Sequence, residues 1–375
     1  MAGPLQGFKV IEMAGLGPAP FAGMLMADLG AEVVCIDRIA PPEHDLHSIH
    51  SKVLRRNKQS IALDLKQPLA VDAVLRLIDS ADVLIEGFRP GVMEKLGLSP
   101  EICLARQPRL VFGRMTGWGQ TGPLAQAAGH DINYIALSSA LHAIGPPDQP
   151  LPPLNLVGDF GGGGMLLVAG VLAAALNARA TGKGQVVDAA MTDGSALLMG
   201  LMYARLSEGQ WHDERGRNML DGAAHFYGTY RCADGKWIAL GSIEPQFYAL
   251  LIKKSGLTNV DQSQQRDPST WPAMRQQLER IFATRTRQEW CDVMEGTDVC
   301  FAPVLSMTEA PLHSHNVARQ TFCEVQGVLQ PAVAPRFSQT PTAAIRAPVA
   351  TGTHTIDILR QLGYSASDIE ALQRK

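Results

Sequence analysis

Over roughly its first third the chain repeats one cycle: a short β-branched run, a turn marked by Gly or Pro, and a helical stretch. Phe8 to Glu12, Glu32 to Asp37, Ser60 to Leu65, Val83 to Glu86 and Leu110 to Arg114 read as strands, with Ala19 to Leu29 and Leu69 to Ile78 as helices between them. A helix between consecutive strands brings the next strand back parallel to the last, so the cycle predicts a doubly wound α/β domain, a parallel sheet covered by helices. Ligands of such folds collect beyond the carboxyl ends of the strands, where turns and helix N-termini leave backbone N–H groups unpaired.

Beyond this cycle, Gly158-Asp159-Phe160-Gly161-Gly162-Gly163-Gly164 leads into an apolar helix, Met165 to Leu176. A strand, Gln185 to Ala189, follows the turn Thr181-Gly182-Lys183-Gly184. Gly194 to Leu206 is apolar nearly all round, so this helix is expected to pack on several sides. From Phe226 the texture becomes β-rich, with strands at 228–232 and 236–240 around Ala233-Asp234-Gly235 and a helix from Thr286 to Met294. At 375 residues with 46% hydrophobic content, the chain is expected to hold two domains. A large Rossmann-like domain takes 1–200 with 330–375, and a small α+β domain takes 226–305. Residues 201–225 and 306–329 serve as linkers. Val328 to Pro348 reads as an extended connection, and the final helical stretches, Thr355 to Leu362 and Ser367 to Gln373, as packing back on the large domain.

A formal net charge of −3 supplies no basic surface for nucleic acid. The N-terminal residues carry no secretory pattern, and the apolar run from Met165 to Leu176 falls short of the ~20 residues that span a bilayer, so no membrane partner is expected. Six scattered cysteines without C-x-x-C spacing suit reduced thiols in the cytoplasm, and the ending Leu372-Gln373-Arg374-Lys375 is not a peroxisomal address.

Several groups can carry chemistry. Gly15-Leu16-Gly17-Pro18 after the first strand, with Asp37 closing the second, invites a dinucleotide reading, but Pro20 takes the place of the third glycine and a tight strand-to-helix turn explains the run as well. Arg38, Arg55, Arg56, Lys58 and Arg89 lie near expected carboxyl-end loops, as phosphate ligands or as a solvated charged face. Asp159 stands before the apolar helix, where it is either a plain N-cap or a catalytic carboxylate whose own N–H, with those of the glycines, faces an oxyanion. His130 in Gly129-His130-Asp131-Ile132-Asn133-Tyr134 is the best-placed base for neutral pH, or a structural loop histidine. Glu244 before Pro245 is a carboxylate partner for it, or a helix cap. His44, His47 and His50 share a spacing that suggests metal, yet their turn-rich polar setting favours a solvated loop, so no metal site is expected.

With these residues in view, the chain resembles the α-methylacyl-CoA racemases of the family III CoA-transferase superfamily. The resemblance runs over nearly the whole length. Residues 7–12, 27–34, 88–92 and 114–123 carry the superfamily pattern. Gly129 to Asn133 and Ile243-Glu244-Pro245-Gln246-Phe247-Tyr248 carry that of the racemase branch. It implies a family III CoA-transferase fold assembled as an interlocked homodimer. It implies that His130, supported by Glu244, and Asp159 work on opposite faces of the carbon beside a thioester carbonyl, around an enolate held by the N–H of Asp159. Arg38 and Arg89 would hold the phosphates of CoA. Ala62, Leu63, Asp64, Leu65, Gly129, Asp131, Ile132, Asn133 and Tyr134 would line its groove, and Lys95 stands where some relatives carry Arg. No cofactor is implied beyond the CoA of the acyl-CoA substrate. The nearest rival is a family III CoA-transferase with Asp159 as nucleophile, to which His130 is superfluous. A non-catalytic CoA-binding protein or an NAD-dependent dehydrogenase leaves the His, Asp and Glu set without a purpose.

Overall fold

The computed structural model describes residues 2–39 and 53–373, and the chain divides into two compact units. The triad His44, His47 and His50 lies outside the described residues.

The first unit is drawn from Met1–Ala140, Pro153–Met199 and Gln320–Lys375. Its sheet joins β1 (Lys9–Met13), β2 (Glu32–Asp37), β3 (Gln59–Ala62), β4 (Val83–Glu86), β5 (Val111–Thr116) and β6 (Gln185–Ala190) in the order β3-β2-β1-β4-β5-β6. Every pairing is parallel. Alternate residues of one strand feed opposite cores. Ile11, Leu84 and Phe112 pack with Ile358, Leu359 and Leu372 of the C-terminal helices, while Val10, Ile85 and Val111 pack with the helices Pro18–Asp28 and Leu166–Thr181. Burial on both faces is why the central strands read as unbroken apolar runs.

The third strand stops at Ala62 rather than Leu65. It is an edge strand whose only neighbour, β2, ends opposite it at Asp37, and Asp64 then turns the chain by accepting the N–H of Lys66. The apolar helix is longer than Met165 to Leu176. A π-helical segment, Leu156–Met165, runs directly into Leu166–Thr181, giving 26 continuous residues with an 18-residue stretch of mean hydropathy 1.7, long and apolar enough to cross a membrane by composition. Its Leu167, Val168, Val171, Ala174 and Ala178 are buried in the core over the sheet. The helix expected over Gly194 to Leu206 is two, Met191–Leu198 and Gly200–Ser207, and Leu197, Leu198, Leu201, Tyr203 and Leu206 stay exposed instead of packing on several sides.

The glycine run explains the π-turns. Gly162 and Gly194 meet backbone to backbone: a Cβ on Gly194 would lie 1.8 Å from the carbonyl oxygen of Gly162, so the two helices touch only because both side chains are absent. The expected extended connection begins later than Val328: Phe322–Val325 and Val328–Pro331 pair as an antiparallel hairpin, with Gln326 and Gly327 both at positive φ in a two-residue turn that matches strand twist, and residues 332–348 then run without helix or strand.

The second unit comprises Leu141–Pro152 and Gly200–Arg319. An antiparallel sheet of β7 (Tyr227–Arg231), β8 (Trp237–Gly241) and β9 (Phe301–Val304) carries the helices Pro245–Ser255, Trp271–Phe282 and Arg287–Met294 around Phe226, Tyr230, Tyr248, Phe282 and Trp290. Thr286 and Glu289 close the start of the last helix as a reciprocal cap.

Candidate active site

The strand order reverses between β1 and β4, so the loops leaving their carboxyl ends diverge and open a crevice. A cavity of about 710 Å³ occupies it. Leu16, Gly17 and Pro18 after β1, Gly87 to Pro90 after β4 and Gly117 and Trp118 after β5 wall it. His130, Asn133, Tyr134, Asn155, Asp159, Phe160 and Met191 also line it.

His130 is exposed and precedes the helix Asp131–Leu137, and its N–H donates to Asn133 Oδ1 at 3.0 Å. Asp159 enters from the π-helical segment. It is therefore not the cap of the apolar helix but lies inside its first turn, and the wide π-turn carries its carboxylate to the cavity wall. Asn155, four residues earlier, donates Nδ2–H to Asp159 Oδ2 at 3.1 Å. Gly17 makes room for that carboxylate, since a Cβ there would stand 3.2 Å from Oδ2. The glycine turn that invites a dinucleotide reading thus seats the acid. Burial lifts the Asp159 carboxyl above the ordinary carboxylate range. The hydrogen bond from Asn155 opposes the rise, the negative charge of Asp131 adds to it, and the charge of His130 opposes it. His130 and Asp159 therefore share one cavity, and the charge of His130 acts on Asp159.

The N–H of Asp159 donates to Asp131 Oδ2 at 2.6 Å, so this amide, expected to receive an enolate oxygen, is already occupied. The glycines that follow serve packing: Gly162, Gly163 and Gly164 are buried, against Ser195, Met191 and Phe21 respectively. N–H groups without an intrahelical acceptor are found instead at Asp131 and Ile132, the first residues of the helix that follows His130.

Of the residues expected to hold CoA, Arg89, Gly129, Asn133 and Tyr134 line the cavity. Arg89 is exposed on the loop after β4, and that loop is anchored from below. Glu86 Oε2 accepts the N–H of Phe88 at 2.6 Å, and Arg114 bridges Glu86 Oε1 (2.9 Å) to Glu94 Oε1 (2.8 Å). Burial pushes the Glu86 carboxyl up to about 7. Tyr134 packs edge-on against Trp118, and its hydroxyl donates to the carbonyl of Gly129. Arg38, exposed, leaves the end of β2, and Lys95, exposed, ends the short helix Val92–Lys95.

Arg38, Lys95, Ala62, Leu63, Asp64, Leu65, Asp131 and Ile132 lie outside the cavity wall formed by the described residues. Leu63 is 1% exposed and its N–H donates to the carbonyl of Asp37, so its side chain belongs to the core and not to a groove. Leu65 packs against the same core. The remaining basic set is spent internally. Arg55 pairs with Asp37, Arg56 with buried Asp28, and Lys58 with buried Glu12, so none of the three is a phosphate ligand. The cations follow turns, but the acids that claim them are on neighbouring strands and a helix, and such long-range partners are invisible in local patterns.

Glu244 belongs to the second unit, as the N-cap of Pro245–Ser255 with Pro245 at the first helical position. The segment before it is held by buried Gln265, whose Nε2 donates to the carbonyls of Ser242 and Ile243 at 3.0 Å each. Tyr248, one turn into the helix, bonds to His225 at 2.7 Å. The roles of Asn155, Gln265 and the Glu86–Arg114 pair are absent from the motif reading. The Asn155–Asp159 spacing of four was the available signal for the first. For the third it was the direct register of Glu86 with Arg114 across β4 and β5.

Comparison with known proteins follows this geometry. Residues 5–355 match CoA-transferase family III. The chain is 44% identical to the alpha-methylacyl-CoA racemase of Mus musculus over 97% of its own length and 95% of the relative's. It is likewise 44% identical to that of Homo sapiens, over 98% and 96%. A solved CAIB/BAIF family protein from Brucella suis shares the fold at a TM-score of 0.81 and 24% identity, covering 96% of this chain and all of that one.

Proposed function

The chain belongs to CoA-transferase family III, and from that premise we propose that it is a racemase interconverting (R)- and (S)-2-methylacyl-CoA thioesters through an enolate. The observation that carries the reading is the meeting of His130 and Asp159 on one cavity at the switch point of the sheet, with the charge of His130 acting on the Asp159 carboxyl. A thioester α-proton is weakly acidic, so its removal needs a positioned base together with a donor for the enolate oxygen. In one direction the Asp159 carboxylate takes the proton, the C–H pair becomes the C=C bond of the enolate as the carbonyl π pair moves onto the thioester oxygen, and protonated His130 then gives a proton to the opposite face of the carbon as the C=O bond re-forms. In the other direction the roles exchange. The N–H of Asp131, at the positive end of its helix, is the donor we assign to the enolate oxygen in place of the occupied amide of Asp159. Arg38, Arg89 and Lys95 are proposed to meet the phosphates of CoA, and Met191, on the cavity wall, offers the acyl group a yielding apolar surface.

Incubation of one epimer of a 2-methylacyl-CoA in deuterated water, with and without a free carboxylic acid, tests the reading. Deuterium at C2 and loss of optical purity without any acid are expected. Acceptor-dependent formation of a new thioester would instead make Asp159 a nucleophile and the protein a transferase.

We also propose a homodimer in which Glu244 of the partner supports His130, working in the reducing cytoplasm to which free thiols are suited. Leu154, Leu156, Leu176, Leu197 and Leu198 of the first unit are between 54% and 75% exposed, an apolar display that a second copy would cover. Sedimentation should give a dimer at micromolar concentration, and Leu176→Glu with Leu197→Glu should shift it to monomer with loss of activity. A monomeric and fully active wild type would defeat this part of the proposal.

A further inference from the structure

We propose that Asp131 is a positioning residue that sets the spacing of the two bases by clamping the main chain of Asp159. The inference rests on His130 and Asp159 being the acid/base pair. Those two residues come from separate segments, and Asp131 is the immediate neighbour of one and the hydrogen-bond partner of the other. Its Oδ2 accepts the N–H of Asp159 at 2.6 Å, across 28 residues of chain. The side chain is not a groove-lining group: Asp131 is 7% exposed, and its Oδ1 is buried with no hydrogen-bond partner among the described residues. An acid at the first position of a helix is ordinarily solvated and favours the helix dipole from the surface. Nothing in that role calls for burying one oxygen without a partner. The approach is built in from the other side as well, because a Cβ on Gly158 would lie 2.4 Å from Asp131 Oδ2. A side chain there would push the carboxylate away and part the two segments.

The clamp has an electrostatic consequence. The ionisable groups acting on the Asp159 carboxyl are Asp131, which raises its proton affinity, and His130, which lowers it. Tyr134 senses the Asp159 charge from the same helix as Asp131, while Asn155 contributes a neutral hydrogen bond. A neutral residue that still accepts the Asp159 N–H therefore keeps the spacing and makes Asp159 a stronger acid.

Asp131→Asn and Asp131→Ala separate the two effects, with kcat, KM and the pH profile measured in both directions of epimerisation. Asp131→Asn retains an amide oxygen for the Asp159 N–H. Its plateau kcat should fall less than that of Asp131→Ala, while the acidic limb in the direction where Asp159 is the base moves to lower pH. Asp131→Ala should lose about 100-fold in kcat, the loss expected for misplacement near 1 Å, with KM little changed. A full plateau kcat in Asp131→Ala, or an unmoved acidic limb in Asp131→Asn, overturns the proposal. Should Asp131→Ala fail to fold, the limb of Asp131→Asn decides alone. Asp159→Ala is the control: if it epimerises at the wild-type rate, the pair itself is misassigned, which is a different failure from that of the clamp.

Discussion

Alanine at either His130 or Asp159 should lower epimerisation by about 10²- to 10⁴-fold, the usual contribution of a positioned acid or base. CoA affinity should stay nearly unchanged, because neither residue is among the basic groups assigned to the phosphates. The two variants should fail differently. Inversion needs a proton to leave one face and another to arrive on the opposite face, so loss of one base stops net inversion in both directions. The surviving base can still exchange the hydrogen it faces. Asp159→Ala should therefore incorporate deuterium from one epimer with retention, and His130→Ala from the other. Optical purity and deuterium content, measured separately for each epimer, report this directly, and a variant that inverts at the wild-type rate removes its residue from the mechanism. The pH dependence follows from Asp159. Burial holds its carboxyl above the ordinary range, and a base works only when deprotonated, so activity in its direction should fade as pH drops through that raised value.

The strands that frame this chemistry were legible because they are buried on both faces. β2 and β4 run over the very residues their composition marks, and the helix Pro68–Ile78 begins at the proline that announces it. Boundaries failed where a neighbour, and not the local sequence, ends an element. β3 stops where β2 stops, and the helix expected from Met165 starts at Leu156 because four glycines allow π-turns packed against Gly194. At the site, His130 and Asp159 were legible as residue types in suggestive loops, and the structure brings both to one cavity wall. The hydrogen-bond partners were not legible. Nothing local to Asp131 says that its carboxylate reaches an amide 28 residues away, and nothing local to Arg55, Arg56 or Lys58 says that each already has an acid. Pair interactions across the fold decide which of two equally basic residues faces a ligand and which faces the core.

Lys58→Met should destabilise the protein by about 3–5 kcal/mol, the cost of removing one partner from a buried ion pair. Lys58 Nζ lies 2.6 Å from Glu12 Oε2 and 2.8 Å from the carbonyl oxygen of Pro20, and both side chains of the pair are 2% exposed. The carboxylate is hemmed in, since a Cβ on Gly23 would stand 1.8 Å from Glu12 Oε2, so Glu12 has no room to turn toward water. Burial already raises its proton affinity, and the charge of Lys58 and its hydrogen bond are the main forces opposing that rise. Without Lys58 the folded-state pKa climbs further. A raised carboxyl favours the folded state fully below the unfolded value and loses that advantage as pH increases through the folded value. The deficit of Lys58→Met should therefore be larger at about pH 8 than at about pH 5, where Glu12 can take a proton. Urea unfolding at the two pH values measures it, and a variant as stable as the wild type at both would mean that water reaches the pair. The double variant Glu12→Gln with Lys58→Met leaves no charge stranded and should recover most of the loss. That folded double variant should bind CoA as the wild type does, because Lys58 is turned inward to Glu12; weakened binding would return Lys58 to the phosphate site from which its geometry excludes it.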